Sequence, residues 1–511
     1  NVECASSTKS CSAPKTTSFI AQLKKLQIFA LQLYFLDYAA TKRSKIIHIS
    51  RLERDPVSFL YTKVVDEKKV DALLTHGLGT TQGNHGCTII NDCILASSGI
   101  TAIGEVRLFP CIESLTCSPF MPNTGIVFAS VRNSPMSQQL SASCSSTLPP
   151  TTLHWIHCSR SLLEEKITQL KKEFSLSLKC GFEHEFYLLK RAGIATRDDS
   201  CLLNVQGERY TAFDQTGYAS TRSLHLLSAY LQRLDMVLTQ QGIGTCVVHA
   251  EGGPGQVEVA LDPYPVLESV ERALLFRESA IAVALEQSLQ ASFLPVVFPN
   301  LPTSGLHVHM SLWQNEKNVT GDKKSPLSKL SQHWIAGILK HLPSLMALTL
   351  PSVNSYERIR PNSWVGAFQC WGFDNREAPI RVPTHPSGTI SHFEFKPLDG
   401  TANLYLAMAA IISAGMIGLR EKLMLPDPTQ VNPSTIAVPN DSASSDLVSL
   451  VKRLPATLSS ALFDHLQKNA QLVKEIGKDQ VDLFTKIKHA EIDYFSSMNF
   501  LELRDFLIIK Y

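Results

Sequence analysis

The stretch "GFEHEFYLL", from Gly181 to Leu189, places two glutamates inside an otherwise apolar run. Side chains at i and i+2 of a β-strand share a face, so Glu183 and Glu185 are predicted to project together. His184 then points to the opposite face and is left out of the site. A Glu-x-Glu pair taken alone is most often part of a solvated outer face. Other segments of the chain are therefore needed to decide whether this pair belongs to a functional site.

Polar residues recur within apolar runs in three further segments. These are "HAEGGPGQVEVAL", "GLHVHMSL" and "HFEFKPL", whose polar members are Glu251, Glu258, His307, His309, Glu394 and Lys396. The two later segments repeat the i, i+2 spacing, while the first carries one glutamate on each side of a glycine-rich turn. Together these patterns predict one sheet with a polar face and a packed back.

If these segments are neighbours, five glutamates and one histidine converge. Carboxylates at that density repel one another and take up protons, so cations are their natural complement. Oxygen-rich ligand sets select Mg²⁺ or Mn²⁺, and one imidazole is compatible with either ion. Each segment alone also has a plainer interpretation, as a solvated face, as surface or core histidines, or as a loop that lacks the GK[ST] of a P-loop. The conjunction favours a metal site.

A cationic segment follows in "NSYERIRPNSWVGAFQCWGFDNREAPIRVP", residues 354–383. It contributes Arg358, Arg360, Arg376 and Arg381. The planar guanidinium suits phosphate and carboxylate oxygens, although surface salt bridging is the alternative and is favoured for Arg360. Metals held by carboxylates, together with arginines, are typical of phosphoryl transfer, where positioning and charge neutralisation do most of the catalysis.

The composition of the chain is that of an ordinary globular protein. Its 511 residues are 44% hydrophobic and 18% charged, with a net charge of +2. This balance supports neither nucleic-acid nor membrane binding, and "LQIFALQLYFL" (26–36) is too short to span a bilayer. The 12 cysteines form no CxxC pairs, which favours reduced thiols and a cytoplasmic location.

The chain divides by composition into two domains. Residues 1–25 are rich in Ser, Thr and Lys and are predicted to be a disordered tail or, alternatively, a transit segment. Residues 26–133 alternate short β-rich runs with turns, and 134–152 form a Ser- and Pro-rich linker or loop. Residues 153–511 alternate helices and strands, including one amphipathic helix that ends at Gly242. The fold class is α+β.

The order of these motifs resembles that in the type I group of the glutamine synthetase superfamily, and the motif sequences are similar to those of the FluG-type domains of fungi and plants. The resemblance runs from about Leu26 to the C-terminus. It implies an N-terminal β-grasp domain, followed by a catalytic domain with a curved antiparallel sheet and surrounding helices. It also implies a homo-oligomeric ring, a dodecamer or similar, whose active sites are shared between subunits.

The resemblance also implies roles for individual residues. One metal is held by Glu185, Glu251 and Glu258 near the acceptor, and a second by Glu183, His307 and Glu394 at the ATP phosphates, with two or three Mg²⁺ or Mn²⁺ ions per site. ATP is bound by His309, Ser311, Arg376 and Arg381. The substrate is contacted by Tyr210, Gly305, Arg358, Trp364 and Lys396. The catalytic residues are Arg358, Arg376 and Asp37, the last reaching into the neighbouring subunit's site to help bind and deprotonate ammonium.

The implied reaction joins glutamate to an amine. ATP phosphorylates the γ-carboxylate of glutamate, and the amine then displaces phosphate to form an amide. Trp364 stands where the family carries a flap glutamate that takes the ammonium proton, which a neutral indole cannot do. The chain also differs from the family's usual residues at Pro302, Thr303, Lys396 and Cys111.

An aromatic ring at the acceptor end suits an organic amine, since a cation can rest on its face. Authentic glutamine synthesis from ammonia, and a non-catalytic structural or regulatory role, are the alternatives.

Overall fold

The computed structural model describes residues 13–134, 154–191, 209–215, 217–322, 326–436 and 451–511. Its α-helices are α1 (Ala13–Lys25), α2 (Glu67–His76), α3 (Ser159–Phe174), α4 (Thr221–Leu226), α5 (Ser228–Gln240), α6 (Val266–Glu286), α7 (Lys329–Thr349), α8 (Leu404–Glu421), α9 (Ala470–Ile476), α10 (Lys478–Phe495) and α11 (Phe500–Lys510). Short 3₁₀ turns cover Gln82–Gly86, Ala96–Ser98, Ile112–Ser114, Val353–Arg358 and Pro433–Thr435, and a π-helical segment covers Ser460–Leu466. The predicted linker lies outside the described residues, except for Ser134.

The strands are β1 (Ala30–Leu36), β2 (Lys42–His48), β3 (Ser50–Arg54), β4 (Tyr61–Val65), β5 (Leu78–Thr81), β6 (Glu105–Pro110), β7 (Thr116–Cys117), β8 (Thr124–Asn133), β9 (Ser177–Arg191), β10 (Tyr210–Ala212), β11 (Thr245–Ala250), β12 (Gln256–Leu261), β13 (Tyr264–Pro265), β14 (Leu289–Ser292), β15 (Leu306–Gln314), β16 (Lys317–Asn318), β17 (Trp371–Phe373), β18 (Ile380–Val382) and β19 (Phe393–Phe395). They form two large sheets, one in each half of the chain, and one separate hairpin, β3–β4.

The N-terminal sheet contains six strands in the order β2-β1-β8-β6-β5, with β7 paired to β8. Its central strands β1 and β8 run parallel, and the other pairs are antiparallel. Helix α2 packs against β6 and buries Val70 and Leu73. A mixed sheet with two parallel central strands and a helix packed on it is the arrangement of a β-grasp domain, as expected. The domain boundaries remain a prediction.

The prediction of a disordered tail over residues 1–25 is wrong for its second half, where helix α1 forms. Phe19 and Leu23 lie four residues apart, so they share one helix face. Both are buried, and Lys24 pairs with Glu67 of α2 at 2.5 Å. The composition of this segment, which is rich in Ser, Thr and Lys, gave no indication of the apolar helix face.

The second sheet follows the order β11-β12-β9-β15-β19-β18-β17, and shorter strands bring it to eleven. Its pairs are antiparallel, with the one exception of β17 and β18 among the described strands. The 15-residue strand β9 is central, pairing with β12 along one edge and β15 along the other. The curved, largely antiparallel sheet is confirmed, and it carries the polar segments on adjacent strands.

The back of this sheet is a packed core. Phe182 and Phe186 of β9 are fully buried, and Phe186 stacks on Phe293 with ring centroids 4.9 Å apart. His184 lies among them, 4.4 Å from the ring of Phe276, and burial lowers the pKa of His184 to about 3. Its exclusion from the polar face is confirmed.

Helix α8 is an apolar helix of the core, with 16 of its 18 residues buried. The side chain of Asn403 accepts from the Leu406 backbone N–H at 3.2 Å and starts the helix. Helices α7 and α8 cross at Gly337 and Gly418, where an added Cβ would overlap the other helix's backbone. Of the described helices, α8 has the length and apolarity to cross a membrane, and 89% of it is buried inside the protein. Its neighbours therefore account for its composition.

The single amphipathic helix predicted to end at Gly242 is divided. Helix α4 ends at Leu226 and α5 begins at Ser228, with Leu227 between them. Leu227, Leu234 and Leu238 are buried, so the periodicity of three and four identified the buried face correctly. The break itself leaves no signal in that periodicity.

Candidate active site

The predicted polar segments are direct neighbours across the second sheet. Their cross-strand partners are His249 with Glu258, Glu258 with Glu185, Glu183 with His307, His309 with Glu394, and Glu394 with Arg381. Residues directly opposite on adjacent strands project from the same face. One continuous polar face therefore runs from β11 to β18, as the spacing predicts.

Glu183, His307 and Glu394 form the first cluster of potential metal ligands, with ligand atoms within 4.8 Å of one another. His307 Nδ1 lies 3.5 Å from Glu183 Oε2 and 3.3 Å from Glu394 Oε1. His309 Nε2 lies 3.0 Å from the other oxygen of Glu183. These are the three residues that the sequence assigns to the metal at the ATP phosphates, and the fold brings them together.

The second cluster differs from its prediction. His249, Glu251 and Glu258 have ligand atoms within 4.8 Å of one another, and His249 Nε2 lies 3.3 Å from Glu251 Oε1. Glu185 has other contacts: its Oε2 accepts from the Gly305 backbone N–H at 2.6 Å, and its Oε1 lies 3.6 Å from His307 Nε2. Glu185 therefore lies between the two clusters in this structure.

His249 is a residue that the sequence analysis missed. Its signal was present, since His249 and Glu251 are spaced i, i+2 in "HAE" and so share a strand face, like the other pairs.

The electrostatics of the face show an excess of acid. Burial, with repulsion from Glu185, Glu183 and Glu251, raises the pKa of Glu258 to about 9. Burial alone would raise the pKa of Glu183 too, but hydrogen bonds from His307 and His309 hold it well below its usual range. Clustered carboxylates with one proton retained at neutral pH fit a hard divalent cation, which could replace that proton.

Arg358 lies against the first cluster, and its guanidinium is buried. Its Nη2 is 3.0 Å from His307 Nε2, and its Nη1 donates to the Lys396 carbonyl at 3.3 Å. Gly305 leaves room for both side chains, because an added Cβ would overlap Arg358 Nη2 and His307 Nε2 and displace them. The predicted Arg358, Gly305 and Lys396 are thus in contact with the metal-ligand face.

The other arginines differ in exposure. Arg381 Nε lies 2.6 Å from Glu394 Oε2 and is part of the face. Arg376 lies in the turn before β18 with an exposed side chain, and its carbonyl accepts from Lys396 Nζ at 2.9 Å. The backbone of Arg376 is therefore anchored to the site, and its guanidinium faces solvent.

Trp364 lies in the loop beside this turn and is 63% exposed. It has φ +59°, a left-handed conformation that is uncommon for an aromatic residue. Its backbone N–H donates to Glu377 Oε1 at 3.2 Å. Glu377 follows Arg376 directly, so the loop that carries the indole is tied to the turn that Lys396 anchors.

The polar face continues along β15 beyond His309. Ser311 Oγ accepts from the Trp313 indole N–H at 2.9 Å. The ammonium of Lys179 lies 3.9 Å from the ring centroid of Trp313, within the range of a cation–π contact. Ser311 lies on the same face of β15 as His307 and His309, its role at ATP stays a prediction, and Trp313 and Lys179 are additions that the sequence analysis did not select.

Asp37 is not at the polar face. Its carboxylate is fully buried and accepts from Arg43 Nε at 2.7 Å and from the Thr41 backbone N–H at 2.8 Å. Burial raises the pKa of Asp37 to about 6, although Arg43 and Thr41 oppose the shift. The interpretation of Asp37 as reaching a neighbouring subunit is wrong, because both of its oxygens are held inside its own chain.

Tyr210 is also outside the site. Its ring is buried in a core cluster with Tyr187 and Leu189, because β10 pairs with the end of β9. Tyr218 lies nearer the second cluster: its ring is 5.5 Å from that of His249, edge to face, and is 61% exposed. No spacing rule singles out Tyr218, because it precedes helix α4 in an irregular segment.

Comparisons with known proteins point to one family. The family model described as glutamine synthetase, catalytic domain, matches residues 157–502. The chain is 34% identical to type-1 glutamine synthetase 1 of Dictyostelium discoideum over 343 residues, which are 66% of this chain and 65% of that protein. It is 31% identical to protein fluG of Emericella nidulans over 364 residues, 69% of this chain but 38% of that protein.

A third relative is the glutamate–methylamine ligase of Methyloversatilis universalis. Identity is 31% over 362 residues, which cover 68% of this chain and 76% of that protein. Among solved structures, a novel glutamine synthase homolog superposes with a TM-score of 0.73 at 25% identity, covering 95% of this chain and 99% of the other. The sequence match lies mostly in the second domain, and the structural match includes both.

Proposed function

The chain belongs to the glutamine synthetase family, and on this premise we propose that it is an ATP-dependent ligase that joins glutamate to an amine through its γ-carboxylate. The observation that carries the proposal is the polar face itself, where two clusters of acidic and imidazole ligands lie on adjacent strands and a buried guanidinium contacts the first of them. Clustered carboxylates are costly unless they bind cations. A protein with a purely structural role would have no need to retain them.

Glu183, His307 and Glu394 would hold one Mg²⁺ or Mn²⁺, and His249, Glu251 and Glu258 a second, with Glu185 shared between them. Such ions offset charge on phosphoryl oxygens when bound. Arg381, beside Glu394, would contact the phosphates of ATP. Arg358 would bind a glutamate carboxylate, and its Nε, which is buried without a hydrogen-bond partner, has a donor left for this purpose.

The nucleotide base would lie at the far end of β15. Trp313 offers an aromatic face there, and Lys179 and Ser311 lie next to it. A groove lined by Trp313, Lys179 and Lys171, with a volume of about 790 Å³, opens at this point. Trp313 lies four residues beyond His309 on the same face of β15, so phosphates at the metal clusters and a base at Trp313 would fit one extended ligand.

The acceptor is proposed to be an organic amine. Tyr218 stands over His249 and the acidic second cluster, and Trp364 supplies a second exposed aromatic ring at the edge of the site. An alkylammonium ion can contact aromatic faces while carboxylates neutralise its charge. A relative named glutamate–methylamine ligase supports this choice, and relatives named glutamine synthetase keep ammonia as the second candidate.

Phosphate release from ATP tests the function. The purified protein is given glutamate with ammonia, methylamine, ethylamine or a diamine, in Mg²⁺ and in Mn²⁺, and the γ-glutamyl product is identified by mass spectrometry. We expect the highest kcat/KM with an organic amine. Highest activity with ammonia would establish glutamine synthesis instead, and no release with any acceptor would refute the ligase and favour a non-catalytic role.

A homo-oligomeric ring with shared active sites is part of the same proposal. It rests on the family and on the open position of the second cluster beside β11, the strand at the edge of the described sheet. Asp37 does not contribute to a shared site, for the reason given above.

A further inference from the structure

The hairpin β3–β4 is the most apolar exposed segment among the described residues. It forms its own two-stranded sheet, separate from the β-grasp sheet. Five large apolar side chains on it are each more than 60% exposed: Leu52, Val57, Phe59, Leu60 and Tyr61. Single exposed apolar residues are normal on a protein surface, but a contiguous apolar patch marks an interaction site.

The tip of the hairpin has a defined conformation. Asp55 accepts from the backbone N–H groups of Val57 and Ser58 at 2.7 and 2.8 Å, and its own N–H donates to the Leu60 carbonyl at 2.8 Å. Phe59 has φ +59°, and the Arg54 guanidinium lies 4.8 Å from its ring centroid. A strained aromatic residue that local hydrogen bonds hold outward is a feature of recognition sites.

A complementary surface lies in the second domain. An apolar groove of about 450 Å³ runs between α5 and the sheet, lined among others by Leu231, Leu234, Leu238, Val248 and Asp235. One wall is the edge strand β11, where Val247 and Val248 are exposed. Exposed apolar edge strands are ready templates for another chain, and the volume is sufficient for more than one side chain.

We propose that the β3–β4 hairpin of one chain docks into this α5–β11 groove of a second copy of the same chain. Charge complementarity supports the hairpin as the segment that fills the groove. Asp235 is the charged residue lining the groove, and Arg54 is the cation at the hairpin tip. The apolar tip then enters an apolar groove, with an arginine placed opposite an aspartate. The hairpin and the groove are different surfaces, so the contact is heterologous and repeats from copy to copy until it closes into a ring.

This proposal rests on the assembly proposed above and names the surfaces that make it. The groove lies on the packed side of the second sheet, because Val248 of β11 pairs with Val259, which in turn pairs with His184. A hairpin docked there would join neighbouring subunits at the β11 edge without donating a catalytic group to the polar face.

The test is the mass of the full-length protein in solution, measured by light scattering and sedimentation. Phe59→Asp and Leu231→Asp are each expected to reduce the assembled fraction at least tenfold at a fixed concentration. Ile103→Asp, which changes a more exposed apolar residue of the same half of the chain, is expected to leave it unchanged. Circular dichroism separates loss of assembly from unfolding.

Charge reversal tests the pairing even if the aspartate variants misfold. Arg54→Glu and Asp235→Lys should each weaken assembly, and the two together should restore it. A monomeric wild type, an assembled Phe59→Asp variant or an unrestored double variant would overturn the proposal. Binding of the wild type to anionic phospholipid vesicles, lost in Phe59→Asp without a change in mass, would overturn it in favour of a membrane surface. An active monomer refutes the docking alone, and an inactive oligomer refutes the ligase alone.

Discussion

Two regions of the molecule bury carboxylates, and they do so in opposite ways. At the domain interface, Asp37 is enclosed with Arg43, and Glu491 is paired with Lys488 at 2.7 Å while also accepting from the Ile89 N–H. On the polar face of the second sheet, five carboxylates share few cations, and the pKa of Glu258 rises to about 9. A buried acid whose charge is matched stabilises the fold, whereas an excess of buried acids is what the proposed metal sites require.

The largest expected effect comes from removing an acid on the crowded face. Glu185→Ala should lower kcat by at least about 10²–10³-fold, because a buried electrostatic group at the reacting centre is lost. Its stability without metal should not fall, because repulsion is relieved. Turnover and urea unfolding measure the two effects.

The matched control for turnover is Glu165→Ala, which removes an exposed glutamate of α3 and should leave kcat unchanged. Near-normal turnover in Glu185→Ala would show that this carboxylate does not serve the reaction.

Removing the matched acid should have the reverse outcome. Asp37→Asn leaves Arg43 without its buried partner, so the free energy of unfolding should fall by about 1–3 kcal/mol, while the folded enzyme keeps its kcat. Asp92→Asn, which removes the exposed partner of the same arginine, should cost less than about 1 kcal/mol. Unchanged stability with lost turnover would instead support a direct role for Asp37.

The raised pKa of Glu258 predicts proton release on metal binding. The folded carboxyl holds its proton up to about pH 9, against 4.5 ordinarily, so a cation that binds at pH 7 must displace it. Metal affinity should then rise about tenfold per pH unit below pH 9 for one proton. Without metal, the free energy of unfolding should fall as the pH rises from about 4.5 to about 9. The reason is that Glu258 binds its proton more tightly in the folded state than in the unfolded state.

Calorimetric titration of Mn²⁺ in two buffers of different ionisation enthalpy measures this release. In Glu258→Gln about one proton fewer should be released. An identical count in both proteins would show that this carboxyl is ionised before the metal binds.

The smallest effect concerns the exposed edge of the acidic face. Trp364→Ala should raise KM for an organic amine by about 2–30-fold, corresponding to a cation–π contact of about 0.5–2 kcal/mol, and leave KM for ammonia unchanged. Trp364→Phe keeps an aromatic face and should retain most of the preference. Equal changes for both acceptors would assign Trp364 to loop conformation rather than to amine recognition.

Much of the active face was predictable from spacing alone. The i, i+2 rule placed Glu183 with Glu185 and His307 with His309, and β9 and β15 do pair with those residues on one face. The same rule, applied to "HAE", would have found His249. It fails for Tyr218 and Trp364, which lie in irregular segments where no repeat relates side chains to a direction.

Asp37 shows a different limit. Its sequence context resembles a functional position, but its function depends on which groups surround it. Arg43, Thr41 and the Asn403 side chain, which donates to the Asp37 carbonyl at 2.9 Å, enclose it. Asn403 is 366 residues away along the chain, and the sequence around Asp37 does not predict that contact.

The sequence by itself determined the family, the strand faces and most of the residues on the polar face, because strand periodicity is a local property of the backbone. The tertiary structure alone decided how the acids divide into two clusters, that Glu185 lies between them, and that Asp37 is a matched interior charge. It also decided that an apolar hairpin and an apolar groove are both left open. These outcomes depend on long-range pairing and on the local balance of charge, neither of which a single segment encodes.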